Sequence, residues 1–216
     1  MLRRDASALM LLALLGAGAG CASAPKATLV TEVPDAVAAS TDAEKYELAA
    51  GAVTVEADVS AGSSYTLRFT HSSGVVVVSP SRPEASTIDV TVDTTNIETT
   101  IPIVADIAKD QFLHVYAHPT ARFTSRALRK TEAGYQMYGD FDFHGTKKSL
   151  VVPVAIEVDE CKVHLSCEFE IDRRVFGAIS DGSLDGIVSD AVEIRISVDA
   201  PRKKAPAKCS KNVAKS

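Results

Sequence analysis

HPTARFTSRALRKTEAGYQMYGDFDFHGTK, residues 118–147, decides the fold. Ala121, Phe123, Ser125 and Ala127 alternate with Thr120, Arg122, Thr124 and Arg126. Tyr135, Met137, Gly139, Phe141 and Phe143 then alternate with Gln136, Tyr138, Asp140 and Asp142. Strand side chains switch faces with period two, so each run reads as a half-buried strand. Lys130–Gly134 between them suits a hairpin loop, and His144–Lys147 turns the chain into the next strand.

The same alternation extends in both directions. Upstream, it runs through Val53, Val55, Ala57 and Val59, through Tyr65, Leu67 and Phe69, and through Ile88, Val90 and Val92. Ala61–Ser63 and Ser72–Gly74 read as turns, and Ser79–Ser86, with two prolines, as a loop. Val75–Val78 reads as a strand buried on both faces. Downstream, the inner positions are Leu150, Val152, Val154, Ile156 and Val158, then Val163, Leu165, Cys167, Phe169 and Ile171, then Val192, Ile194, Ile196 and Val198. Pro153 lacks an N–H, which suggests a strand edge or a bulge there. Ile97, Ile101, Val104 and Ile107 recur at helical spacing, so a short helix is expected within Thr99–Lys109, with Pro102 in its first turn. About eight amphipathic strands and one short helix describe an all-β protein, either a sandwich or a barrel.

Three spaced elements carry a resemblance. DQFLHVYAHPTARFTS, YGDFDFHGTKKSLVVPV and EIDRRVFG, in that order, resemble the signature of YceI-like proteins. The likeness is clear over 86–199 and thin over 46–82. It implies an antiparallel lipocalin-like β-barrel of about eight strands, with the short helix in a long connection. It also implies a long apolar ligand, such as a polyisoprenoid, held in the barrel. On that reading the cavity wall is Phe123, Met137, Phe141, Phe143, Val154, Ile156, Leu165, Phe169 and Ile194. Each of these is, taken singly, an ordinary core residue. The resemblance further implies that Asp172 and Arg173 pair to fix the loop that closes the barrel.

The chain divides into a leader over 1–20, a flexible tether over 21–45, the barrel domain over 46–200 and a basic, disordered tail over 201–216. Arg3 and Arg4 precede the apolar run Ala8–Leu15, which is too short to span a bilayer and reads as a signal peptide. Cys21 follows small residues, and the stretch resembles a bacterial lipoprotein cleavage site, although Gly18 stands where that pattern prefers Leu. Cys21 is therefore the expected lipidation site, anchoring the protein to a membrane of the cell envelope and placing it in the periplasm. Plain secretion, with cleavage after Ala22 or Ala24, is the alternative. Export into an oxidising compartment favours a disulfide. Cys161 with Cys167 is the first choice, and pairing of either with Cys209 the second.

The mild net charge of −5 argues against broad nucleic-acid binding, which needs a basic face to neutralise phosphates. No serine elbow, phosphate loop, zinc-protease motif or catalytic dyad is found, so no catalytic residue, cofactor or metal is assigned. His114 and His118 are four apart, but Pro119 argues against a shared helical face, and a turn or rim role is expected. Arg122, Arg126, Arg129 and Lys130 read as a solvated strand face, with an anionic head group as the alternative partner. The expected function is a lipid-anchored, non-enzymatic carrier or sequestering protein for a hydrophobic ligand, acting in transport, with a homodimer as a further partner expectation. Its rival is a structural or interaction module of the envelope with a filled barrel.

Overall fold

The computed structural model describes residues 24–48, 52–202, 206 and 209. The leader, the Cys21 lipidation site and most of the tail lie outside the described residues. Among the described residues twelve strand segments form: β1 (Thr28–Leu29), β2 (Glu44–Leu48), β3 (Val53–Ser60), β4 (Ser64–Phe69), β5 (Ser72–Val78), β6 (Thr87–Asp93), β7 (Ile97–Glu98), β8 (Thr120–Thr131), β9 (Gly134–Phe143), β10 (Thr146–Val158), β11 (Lys162–Asp172) and β12 (Ala191–Pro201). One α-helix, α1 (Pro102–Ile107), lies in the long connection between β7 and β8 and begins on its proline, whose missing N–H costs nothing there. A π-helical turn over Ala108–Leu113 continues it.

The pairing is antiparallel and runs β2-β5-β6-β8-β9-β10-β11-β12-β3-β4-β7. The two ends of that path are joined by the chain itself. β4 and β5 are halves of one run bent at Thr70–His71, and β6 and β7 are halves of the run beside it. Across the bend, Thr70 N–H donates to Asn96 O at 3.2 Å and Asp93 N–H to His71 O at 2.9 Å. β2 and β3 line the other side of the same bent run. The sheet thus curls round into a barrel of about eight runs, as the alternation and the resemblance together led one to expect. A barrel of this size is just wide enough to be filled by side chains or to hold one ligand.

The interior is built in two parts. Tyr46, Val76, Val78, Val163 and Val198 belong to a tightly packed cluster beside β2. Leu128, Met137, Leu150, Phe169 and Phe176 belong to a second cluster, which also takes in residues of α1 and the turn after it. The central hairpin β8–β9 carries a bulge between Ser125 and Ala127, opposite Gly139. A Cβ on Gly139 would strike the Phe123 ring and come within 2.7 Å of Thr124 O. Gly139→Ala should therefore cost about 1–3 kcal/mol, the usual scale of overpacking. Urea unfolding checks this, and an unchanged midpoint would show that Phe123 can swing aside.

Four expectations are corrected. Ser72–Gly74 is not a turn but the start of β5, because Ser72, Ser73 and Gly74 pair with Val92, Thr91 and Val90. The tether is not free over 24–30. Ala27 N–H donates to Glu170 O at 2.8 Å and Val30 N–H to Ser149 O at 3.0 Å, and β1 pairs with β10, so backbone groups read as solvated are satisfied by the barrel. The disulfide joins Cys161 to Cys209, not Cys161 to Cys167. Cys161 and Cys209 have Cα atoms 5.4 Å apart. Cys167 is six residues further along, mostly extended strand, which puts it roughly 20 Å away at about 3.3 Å per residue, far outside bridging range.

The last correction concerns Asp172. Its carboxylate caps the short 3-10 helix Arg173–Phe176 by accepting from Arg174 N–H at 2.9 Å. Arg173 pairs instead with Asp185 at 2.8 Å and Asp190 at 3.2 Å. The loop is clasped as expected, but from its far side.

Candidate functional site

Between the two packed clusters the barrel encloses a cavity of about 370 Å³. Ligand pockets usually begin at about 300 Å³, so the hollow is of useful size. Of the nine residues assigned to the wall from sequence, Phe123, Met137, Phe141, Phe143, Val154, Leu165, Phe169 and Ile194 all line it. Ile156 does not. β10 pairs with β9 up to Val154 and with β11 from Ala155, and past that switch Ile156 packs against both core clusters.

Two groups of wall residues were not assigned from sequence. Ala57, Leu67 and Val152 sit at inward positions of their strands and were legible from alternation. Val104, Ile107 and Phe112 reach the cavity from α1 and the turn after it, and Leu184, Ile187 and Val188 from the loop before β12. No periodic pattern marks a loop residue that closes a barrel from above. Ile187 is 57% exposed yet lines the cavity, which places it at the mouth.

The wall is almost wholly apolar. Among the described lining residues there is no His, Asp, Glu or Lys. Its one cation, Arg173, is 3% exposed and fully engaged. Its guanidinium donates to the carbonyls of Ser189 (3.0 Å), Ala178 (2.7 Å), Asp185 (3.1 Å) and Val188 (3.1 Å), besides its two carboxylates. It also lies 5.1 Å from the centre of the Phe112 ring, joining the two segments that frame this end. Cys167 faces the hollow, and its thiol donates to Pro153 O at 2.9 Å. Burial, followed by the charge of Glu168, pushes that thiol up to about 12.

His114 and His118 meet a third histidine. His114 Nδ1 lies 3.0 Å from His144 Nε2, and the His118 and His144 ring centres are 4.4 Å apart. Burial first, then the neighbouring His118 and His114, holds His144 below the ordinary histidine range. A 3.0 Å contact between two ring nitrogens requires one to be bare, so this is a zipped corner beneath the π-helical turn. Among the described residues no group of three His, Cys, Asp or Glu is placed to hold a metal ion. On the outer face Arg122 is held by Asp89 at 2.9 and 2.6 Å, Arg126 lies 3.6 Å from Asp140, and Arg129 donates to Asp35 O at 2.5 Å. These cations are engaged by the protein's own surface.

Comparison with known proteins follows the same lines. A family model described as YceI-like domain matches residues 36–200. Burkholderia cenocepacia BcnA has a similar solved structure, with a TM-score of 0.65 at 20% identity, covering 71% of this chain and 99% of its own. The Campylobacter jejuni YceI protein gives 0.57 at 23% identity, covering 63% of this chain and 84% of its own. A polyisoprenoid-binding domain from Saccharophagus degradans, implicated in plant cell wall breakdown, gives 0.57 at 14% identity, covering 74% and 98%. At these identities the structures attest the fold alone. No curated protein matches the chain.

Proposed function

The chain belongs to the YceI-like family, and from that premise we propose that it binds a long hydrophobic molecule, a polyisoprenoid or similar lipid, in the barrel to sequester or carry it. The observation that carries this reading is the apolar hollow of about 370 Å³ at the centre of an otherwise well-packed barrel. Each methylene moved from water into such a wall contributes about 0.8 kcal/mol. Roughly ten chain carbons then supply about 8 kcal/mol gross, from which the cost of ordering the chain is subtracted. The polyisoprenoid-binding domain from Saccharophagus degradans supports the same ligand class. The head group sits at the mouth by Ile187, since the described wall carries no carboxylate, imidazole or ammonium to receive it and its one arginine is engaged.

Among the described residues the wall offers no carboxylate, imidazole or ammonium for acid–base work, which favours binding without turnover over enzymatic action on a lipid. The filled-barrel module is disfavoured by the cavity. The paired arginines before an apolar run, and Cys21 behind it, support an exported protein anchored by lipid in the periplasm. No helix among the described residues is long and apolar enough to cross a membrane, so attachment through Cys21 is consistent with the chain.

Native mass spectrometry of the Cys21→Ser protein tests the reading. The expected result is a bound mass that organic solvent extracts. Bare polypeptide from several preparations, together with no uptake of a polyene lipid, would overturn it.

A further inference from the structure

β10 and β11 do not zip along their whole length. Their pairing stops at Ala155 and Ser166, although both strands continue, to Thr146 on one side and Asp172 on the other. Pro153, which has no N–H to offer, stands just beyond the split, and the Cys167 thiol takes its carbonyl. A seam therefore opens in the barrel wall. Its two sides carry Val152 and Val154 on β10 and Phe169 and Ile171 on β11, and all four line the cavity.

The N-terminal segment fills this seam. Thr28 and Leu29 pair antiparallel with Val151 and Leu150. Lys26 bridges Glu170 in the parallel sense, with Ala27 N–H donating to Glu170 O and Glu170 N–H to Pro25 O. So residues 25–30 lie hydrogen-bonded to both strands at once. Their hold is slight. Thr28 and Leu29 are exposed, the Lys26–Glu170 ion pair is 4.0 Å long at the surface, and of these side chains only Ala27 packs against the core. The filling strand also lies outside the family-matched region, which begins at residue 36. The barrel domain proper thus leaves the seam open, and this chain covers it with a weakly attached piece.

We propose that Pro25–Val30 is a displaceable strand sealing a lateral entrance to the cavity, through which an apolar chain molecule enters and leaves between β10 and β11. This rests on the ligand class proposed above. A long apolar chain entering at an end of the barrel goes in end first, whereas a seam admits it sideways. Local opening of a segment held by few backbone bonds needs far less free energy than global unfolding. The segment begins at Pro25, four residues from Cys21, so an N-terminus anchored there would pull directly on the seal.

A disulfide lock tests the proposal. Thr28 and Val151 are register partners, and paired positions in antiparallel strands lie about 4.5–5.5 Å apart, within bridging range. Thr28→Cys with Val151→Cys is made in full-length Cys21→Ser protein and oxidised. Two rates are then compared with the unlocked parent: exchange of bound cis-parinaric acid, and alkylation of Cys167 by N-ethylmaleimide, read by peptide mass spectrometry. Both should slow at least tenfold in the locked protein, while the equilibrium affinity for the probe changes less than twofold. Deleting residues 24–30 should speed both. Equal rates in locked and unlocked protein would overturn the gate and leave the ligand reading standing. If the parent takes up no probe, the ligand reading fails, and Cys167 alkylation alone decides whether the strand opens.

Discussion

Arg173→Met should lower the stability of the barrel by roughly 3–5 kcal/mol, the scale on which a buried charged partner is removed from its network. The methionine keeps much of the stem's volume, so what is lost is the guanidinium, with its hydrogen bonds and its place over the Phe112 ring. Four backbone carbonyls, those of Ala178, Asp185, Val188 and Ser189, lose their donor beside the mouth. A buried acceptor left without a partner costs about 1–3 kcal/mol. Asp185 keeps Arg174 and partial solvent access, so it contributes little to that cost. Thermal and urea unfolding of the two proteins measure the difference. Arg173→Lys should recover only part of it, because three donors cannot meet six acceptors.

The pH dependence follows from Asp185. Arg173 chiefly holds its carboxyl below the ordinary range, with burial opposing it and Arg174 adding to the depression. A carboxyl depressed in the folded state stabilises above its unfolded pKa, near 3.9, and loses that contribution as pH falls below it. The gap between wild type and Arg173→Met should therefore narrow below about pH 4. A constant gap down to acid unfolding would assign the loss to the carbonyls alone.

Periodicity made the barrel wall readable and left its closures unread. Phe123, Met137, Phe169 and Ile194 declare an inner face because a strand must alternate to bury one side. The same rule could not find Val104, Ile107 or Ile187, whose positions depend on where loops fall after the sheet has curled. Nor could it place Ile156, since the switch of β10 from β9 to β11 is a choice of partner that alternation does not encode. The disulfide failed for a related reason. Five intervening residues suit a hairpin, but Cys161 precedes β11 and Cys167 lies well inside it, so extension keeps them apart. The seam was the least legible feature. Pro153 signalled an interrupted edge, yet nothing in Pro25–Val30 marks it as the strand that fills the interruption, because its composition is that of a linker.

Ala57→Trp should abolish most of the affinity for an apolar chain while leaving the fold intact. Ala57 lies on β3, paired with Ile194 on one side and Leu67 on the other, and its methyl faces the cavity. An indole there projects into open space rather than into packed neighbours, so the usual overpacking cost does not arise. It takes up the room of about four chain methylenes, worth about 3 kcal/mol at 0.8 kcal/mol each, or roughly a hundredfold in Kd. Unfolding midpoint and fluorescent-lipid titration must be read together. A normal midpoint with a hundredfold weaker Kd is the expected pair of results. Met137→Trp, across the ring on β9, is the companion should the first variant fold poorly. If both variants fold and both bind as the parent does, the ligand lies elsewhere and the hollow is only a packing defect.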